Sequence, residues 1–176
     1  MNLLGRMVVE WDHKIKLGMD RLKILIAPFA RPLRNGKENP KNYPYWEVVI
    51  RNLHCNFDIF QIGKSGEKIF YNINDYFFDL SFSEIVDLVK GYDLFISVDS
   101  FLPHLCHYYN KTGIVIFSRS NPKLFGYPEN INLLKDEKYL RNDQFGNWED
   151  CEYLKESFID PTIVIDTVSK WQIKNI

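Results

Sequence analysis

The sequence predicts an α/β fold, a Rossmann-like, doubly wound, mainly parallel sheet flanked by helices. Three observations predict it. Short apolar, β-branched runs recur as LKILIAPF (Leu22–Phe29), FDIFQI (Phe57–Ile62), LFISV (Leu94–Val98) and GIVIF (Gly113–Phe117), and each suits a buried strand. Stretches with helical spacing follow most of them. Each run also leads into a polar, charged or glycine-bearing loop. Strands alternating with helices imply a parallel sheet, and right-handed crossovers bring loops 30–43, 63–67, 99–104 and 118–122 to one edge. Ligands of open α/β sheets bind at that edge, outside the carboxyl ends of the strands.

Taken in order, residues 1–20 mix apolar residues with charges (Arg6, Glu10, Asp12) and are too short for a domain; they read as an N-terminal arm, with 21–176 as the Rossmann-like domain. After the first strand, Ala30–Tyr43 carries Arg31, Arg34, Lys37 and Lys41, a cationic loop where a phosphate would sit. Pro44 opens a helix, and Trp46, Val49, Ile50 and Leu53 repeat at helical spacing, which makes Trp46 a core anchor. The second strand ends in Gly63-Lys64-Ser65-Gly66-Glu67, a glycine turn whose acid is suited to ribose hydroxyls. Ile69–Leu80 is aromatic and irregular, with room for a short strand. Ser81 and Glu84 fit a capping box, and Ile85, Leu88 and Val89 supply that helix's inner face.

The chain then reaches Leu94–His107, LFISVDSFLPHLCH. Asp99 closes the strand, Ser100 is a good N-cap, Pro103 falls in the first helical turn, and His104 follows on the same turn. Three residues of useful chemistry therefore crowd one strand-to-helix junction. After Gly113–Phe117 comes the polar loop Ser118–Pro122, then a turn at Leu124–Pro128 and a short strand at Ile131–Leu134. Lys135–Glu152 has no clear period, and Ser157–Trp171 reads as the closing helix.

Composition narrows the function. A chain of 176 residues is one domain, and its net charge of −1 excludes a broad nucleic-acid surface, so an anion site must be local. The three cysteines, Cys55, Cys106 and Cys151, are too scattered for a disulfide framework or a zinc pattern and suit a reducing compartment. No apolar run approaches the roughly 20 residues of a membrane span. Charges at Glu10, Asp12 and Lys14 interrupt any signal-peptide layout. His104 and His107 lack evident carboxylate partners, so no metal is expected.

Together these motifs resemble the C-terminal, nucleotide-sugar-binding domain of the heptosyltransferase-like glycosyltransferases (glycosyltransferase family nine, GT-B fold), over most of residues 22–172. Val98-Asp99-Ser100-Phe101-Leu102-Pro103-His104-Leu105 is similar to that family's D-[ST]-G-x-x-H-L stretch. Ser118-Arg119-Ser120-Asn121-Pro122 resembles its G-P-[ST]-D-P loop, Lys41-Asn42-Tyr43-Pro44 its K-x-W-P, and Gly63–Glu67 its G-x-x-x-E. Cys151, Pro161 and the last helix resemble its C-terminal cysteine and closing helix. The resemblance implies that Lys41 contacts donor phosphate or sugar and that Glu67 binds ribose. It also implies that Asp99 and Ser100 hold the pyrophosphate and transferred sugar, with His104 close to the phosphates. Arg31, Arg34, Ser118 and Ser120 are further phosphate-loop candidates. No cofactor or metal is implied, the nucleotide-diphosphate sugar being substrate, with an ADP-linked sugar first to be tried. Phe101 stands where the family has Gly, and Ser118 replaces another Gly, so close backbone approach to phosphate is hindered.

GT-B enzymes pair two such domains, and the acceptor site and catalytic base belong to the other one. The resemblance thus implies a glycosyltransferase for lipopolysaccharide or glycan synthesis that needs an acceptor half from another chain or a much reduced acceptor site built from the N-terminal arm. It further implies a cytoplasmic location, compatible with peripheral attachment to the inner membrane. The alternatives are a non-catalytic nucleotide-sugar-binding module or partner subunit, and an inert α/β interaction domain. The face that meets the other domain is expected to be covered by self-association or another protein.

Overall fold

The computed structural model describes residues 21–175, and the arm expected at 1–20 lies outside them. Six strands form one parallel sheet: β1 (Lys23–Ala27), β2 (Asp58–Gly63), β3 (Asp75–Phe78), β4 (Leu94–Val98), β5 (Gly113–Ile116) and β6 (Ile131–Leu133). Their order across the sheet is β3-β2-β1-β4-β5-β6, so the winding reverses between β1 and β4. That reversal opens a crevice between the loops that leave those two strands.

The helices are α1 (Trp46–Leu53), α2 (Phe82–Lys90), α3 (Phe101–Tyr108), α4 (Pro122–Phe125) and α5 (Pro161–Asn175). Alternation along the strands sends neighbours to opposite faces. Ile24, Ile26, Ile96 and Val98 pack with Trp46, Val49, Ile50 and Leu53 of α1 and with Val164 and Val168 of α5. Leu25, Ala27 and Phe95 pack on the other face with Val86 and Val89 of α2 and Leu102, Leu105 and Cys106 of α3. The sheet is thus covered on both faces, the condition for an all-parallel sheet with continuous apolar strands.

Several local expectations shift. Ser81 and Glu84 do form the capping box of α2, but Val86 and Val89 are its buried residues, while Ile85 and Leu88 are only half-buried. Ser100 occupies the N-cap position of α3, yet its side chain caps nothing and its hydroxyl is buried without a partner. Pro44 lies in the turn before α1, which starts at Trp46. The stretch expected as a turn at Leu124–Pro128 begins inside α4, which Asn121 caps through the Lys123 amide. The last helix starts at Pro161, after a separate 3-10 turn at Lys155–Ser157, because proline at the first helical position has no amide to satisfy. Among the described residues, no helix is long and apolar enough to cross a membrane.

Candidate functional site

The crevice between β1 and β4 holds an ion pair. Lys41 Nζ lies 2.8 Å from Asp99 Oδ2, and both side chains are largely buried, at 16% and 8% exposure. Asp99 arrives there as the first residue after β4, but Lys41 sits in a long loop that must be fixed to place it. Local amide chemistry fixes it. Asn39 donates to the Arg31 carbonyl and accepts from the Lys41 amide, and Asn42 accepts from the Ala30 amide at 2.9 Å. Trp46 Nε1 donates to the Pro28 carbonyl, anchoring the loop's start to α1, and the Ser118 hydroxyl donates to the Pro40 carbonyl at 2.7 Å. Such side-chain bonds let a loop hold one conformation without regular structure.

A cleft of about 340 Å³ opens beside the pair, lined by Lys41, Asp99, His104, Arg141, Gln144 and the aromatic residues Phe125, Phe145 and Trp148. Trp148 is central. Lys41 Nζ lies 4.3 Å from its ring centroid, and the Arg141 guanidinium carbon lies 3.7 Å from it. Cations over the face of an indole are attracted by its quadrupole, so the ring gathers two positive charges at one wall. Arg141 also donates to the carbonyls of Gln144, Gly146 and Asn147, while its Nε is buried without a partner. Gln144 ties this loop to the one after β5 by accepting from the Asn121 amide at 2.8 Å. Sequence reading missed Arg141, Gln144 and Trp148, which lie in the stretch without a period. The sequence signal there was an arginine and a tryptophan in a polar and aromatic segment.

A second cleft of about 640 Å³ lies over the carboxyl ends of β1 and β2. Its walls include Phe29, Phe82, Ile85 and Phe101, and its polar groups include Arg31, Lys64 and Glu67. Gly66, at φ +90°, turns the chain so that the Glu67 carboxyl folds back over Gly63. Desolvation by burial raises the pKa of Glu67 above the ordinary carboxylate value. Phe101, at the first position of α3, is 49% exposed and forms an apolar wall of this cleft.

The structure therefore brings Lys41, Asp99 and His104 together and places Glu67 and Arg31 in the second cleft. It separates others. Arg34 is directed to Glu149, with which it forms a loose pair at 3.9 Å. Ser118 is buried and engaged with Pro40, as above. Ser100 and Ser120 hold buried hydroxyls without partners. Cys106, between His104 and His107, is buried among apolar residues, and its thiol pKa is pushed up to about 12, so it offers no thiolate. Among the described residues, no group of three or more His, Cys, Asp or Glu is placed to hold a metal ion.

Two half-buried cations at one wall, and in the second cleft an acid beside phenylalanine side chains, are groups of the kind that bind phosphates, sugar hydroxyls and planar rings. No protein-family model matches the chain, and no curated protein matches it. Solved structures do. Escherichia coli ADP-heptose lipopolysaccharide heptosyltransferase II superposes with a TM-score of 0.64 at 13% identity, over 92% of this chain and 50% of that one. A glycosyl transferase of family 9 from Veillonella parvula gives 0.64 at 12% identity, over 94% and 50%. E. coli heptosyltransferase WaaC, solved with ADP, gives 0.59 at 14% identity, over 86% and 45%. The chain thus shares the α/β fold of heptosyltransferases and spans about half the length of these relatives.

Proposed function

We propose that this chain is the donor-binding unit of a heptosyltransferase-type glycosyltransferase, taking an ADP-linked sugar for transfer to a glycan acceptor. The observation that carries the reading is the Lys41–Asp99 pair at the point where the sheet reverses, walled by Arg141 and faced by His104. In the transfer, an acceptor hydroxyl attacks the anomeric carbon, the bond from that carbon to the diphosphate breaks, and its electron pair leaves on the β-phosphate oxygen. Lys41, Arg141 and the amides at the start of α3 stabilise the charge that gathers there. Asp99 holds Lys41 in place, and Glu67 accepts from the ribose. That relatives of this fold were solved with ADP or act on ADP-heptose supports the choice of nucleotide.

A base must take the proton of the acceptor hydroxyl. Asp99 is the sole carboxylate lining the Lys41 cleft among the described residues, and it is already paired. That observation favours a second reading, a module that binds the nucleotide sugar and leaves the base and acceptor site to a partner chain.

Calorimetric titration with ADP, ADP-heptose and UDP tests both. We expect ADP and ADP-heptose to bind and Lys41→Ala to weaken them by roughly tenfold or more, the scale of a lost charge-assisted contact. Failure of every nucleotide to bind a folded chain overturns the donor-site reading. Release of ADP from ADP-heptose on adding acceptor then separates an enzyme from a binding module.

A further inference from the structure

His104 reaches the Lys41 cleft with one of its two ring nitrogens already taken. Its Nδ1 lies 2.9 Å from the Tyr127 hydroxyl, and the two rings meet edge to face at 5.6 Å and 82°. Nε2 makes no hydrogen bond among the described residues, so it is the nitrogen left for a ligand. Tyr127 is itself held. Its ring stacks on His107, one turn further along α3, with centroids 3.8 Å apart and planes 12° apart. His107 Nδ1 is paired with Glu129, two residues beyond Tyr127. The backbone there is closed as well, because Asn132 donates to the Tyr127 carbonyl at 2.9 Å. The loop after α4 thus grips α3 through both histidines.

The direction of the Tyr127–His104 bond decides what the cleft meets. A neutral imidazole nitrogen is a good acceptor, and a phenolic oxygen is a better donor than acceptor. With the hydroxyl donating to Nδ1, the ring proton must sit on Nε2, as when an outer partner fixes the tautomer of a metal-bound histidine. An Nε2–H donates to a phosphate oxygen, whereas a bare Nε2 lone pair repels one. The charged or titratable groups around this ring are Lys41, Asp99 and Arg141 from the cleft, and Tyr127, His107 and Glu129 from the loop side.

We propose that Tyr127 is a positioning residue. Its hydroxyl donates to Nδ1 of His104, orients the ring and keeps the proton on Nε2, so that His104 presents an Nε2–H donor to the donor phosphates. The phosphate part rests on the donor-site reading above; the ring's proton does not.

The test uses the whole chain with 15N-labelled histidine, observed by long-range proton–nitrogen spectra well above the ordinary histidine titration range, with His104→Ala assigning the signals. We expect the free chain to carry the His104 proton on Nε2 and to show a hydrogen-bonded Nδ1 resonance. Tyr127→Phe keeps the ring and its stack on His107, and should return that resonance to the unbonded position. A proton on Nδ1 in the wild type, or spectra unchanged by Tyr127→Phe, overturns the proposal. In parallel, ADP titration should show about threefold to tenfold weaker binding in Tyr127→Phe, the scale of one hydrogen bond, and no further loss when that change is added to His104→Ala. Additive losses would mark Tyr127 as merely structural and overturn it. If the wild type binds no ADP, the donor-site reading and the phosphate role of Nε2 fall together, while the spectra still decide the ring.

Discussion

Lys41 and Asp99 bring opposite charges to a place with little water, and each depends on the other. Removing one partner of a buried pair leaves a desolvated charge, which costs about 3 kcal/mol. We therefore expect Lys41→Ala to lower the unfolding free energy measured in urea by that order, with a lower midpoint, and Asp99→Asn added to it to restore part of the loss. Equal midpoints for wild type and Lys41→Ala would show that the pair carries no stability. Glu67 makes a separate prediction, because burial holds its pKa above the ordinary 4.5. The folded state binds that proton more tightly than the unfolded chain. Its contribution to stability is therefore present below the ordinary value and lost as pH rises through the raised one. Ligand binding runs the other way, since only the ionised carboxylate accepts from both ribose hydroxyls. ADP affinity should fall on acidification at a pH above that at which an ordinary glutamate would act, and Glu67→Gln should flatten the profile; an identical profile in that variant excludes Glu67 as the titrating group. Glu67, Asp99 and His104 were legible in the sequence because each stands close to a strand end or glycine turn, whereas Lys41, in a long loop with other cations, was singled out by the resemblance of Lys41–Pro44. Arg141 and Trp148 were not, since their place comes from carbonyl bonds within an aperiodic loop and from stacking between distant residues.

Two glycines at strand ends show how elements set the site. At Gly63, the last residue of β2, an added methyl would enter the space of the Glu67 carboxyl, with Phe78 Cε1 at 3.3 Å. The obstacle is the tip of a flexible side chain, so Gly63→Ala should leave unfolding nearly unchanged while displacing the ribose acid and weakening ADP roughly tenfold, the scale of a lost charged hydrogen bond. At Gly113, the first residue of β5, the methyl would lie 2.5 Å from the Phe95 carbonyl oxygen and would also meet its ring. That obstacle is the backbone of β4, so Gly113→Ala should cost about 1–3 kcal/mol of stability by overpacking, with affinity kept in the fraction that folds. Calorimetry and urea unfolding on both variants check the contrast, and a reversed order would refute it. The central strands β1, β4 and β5 were readable, because burial on both faces demands continuous apolar runs and the chain supplies them; the edge strands β3 and β6 are only partly buried and left a weaker signal. The 3-10 turns at Glu137–Tyr139 and Trp148–Asp150 were not, since single turns leave no period to detect. Ser100 misled for another reason: its residue type fits a cap, but the hydroxyl is directed into the protein without a partner.

At the scale of the molecule, charge and apolar surface are arranged about the same edge. The net charge is −1, yet Arg31, Lys41, Lys64 and Arg141 all line the two clefts, so attraction for an anion is local and should weaken with salt. Apolar side chains stand beside these cations. Phe82, Phe101 and Phe145 are 69%, 49% and 80% exposed, and all three line the clefts. Large apolar side chains gathered beside a ligand cleft mark an interaction surface, whose burial is favourable in proportion to its area. We expect the purified chain to associate through this edge, with a mass by light scattering that rises with concentration. Phe82→Ser with Phe145→Ser should return it to the monomer, and ADP bound as proposed above should weaken the association. A monomer at every concentration, with or without nucleotide, would exclude self-association through this edge. An association unchanged by the two substitutions would place the contact elsewhere, where the exposed Ile69, Tyr71 and Tyr76 near the β3 edge offer the next surface to mutate.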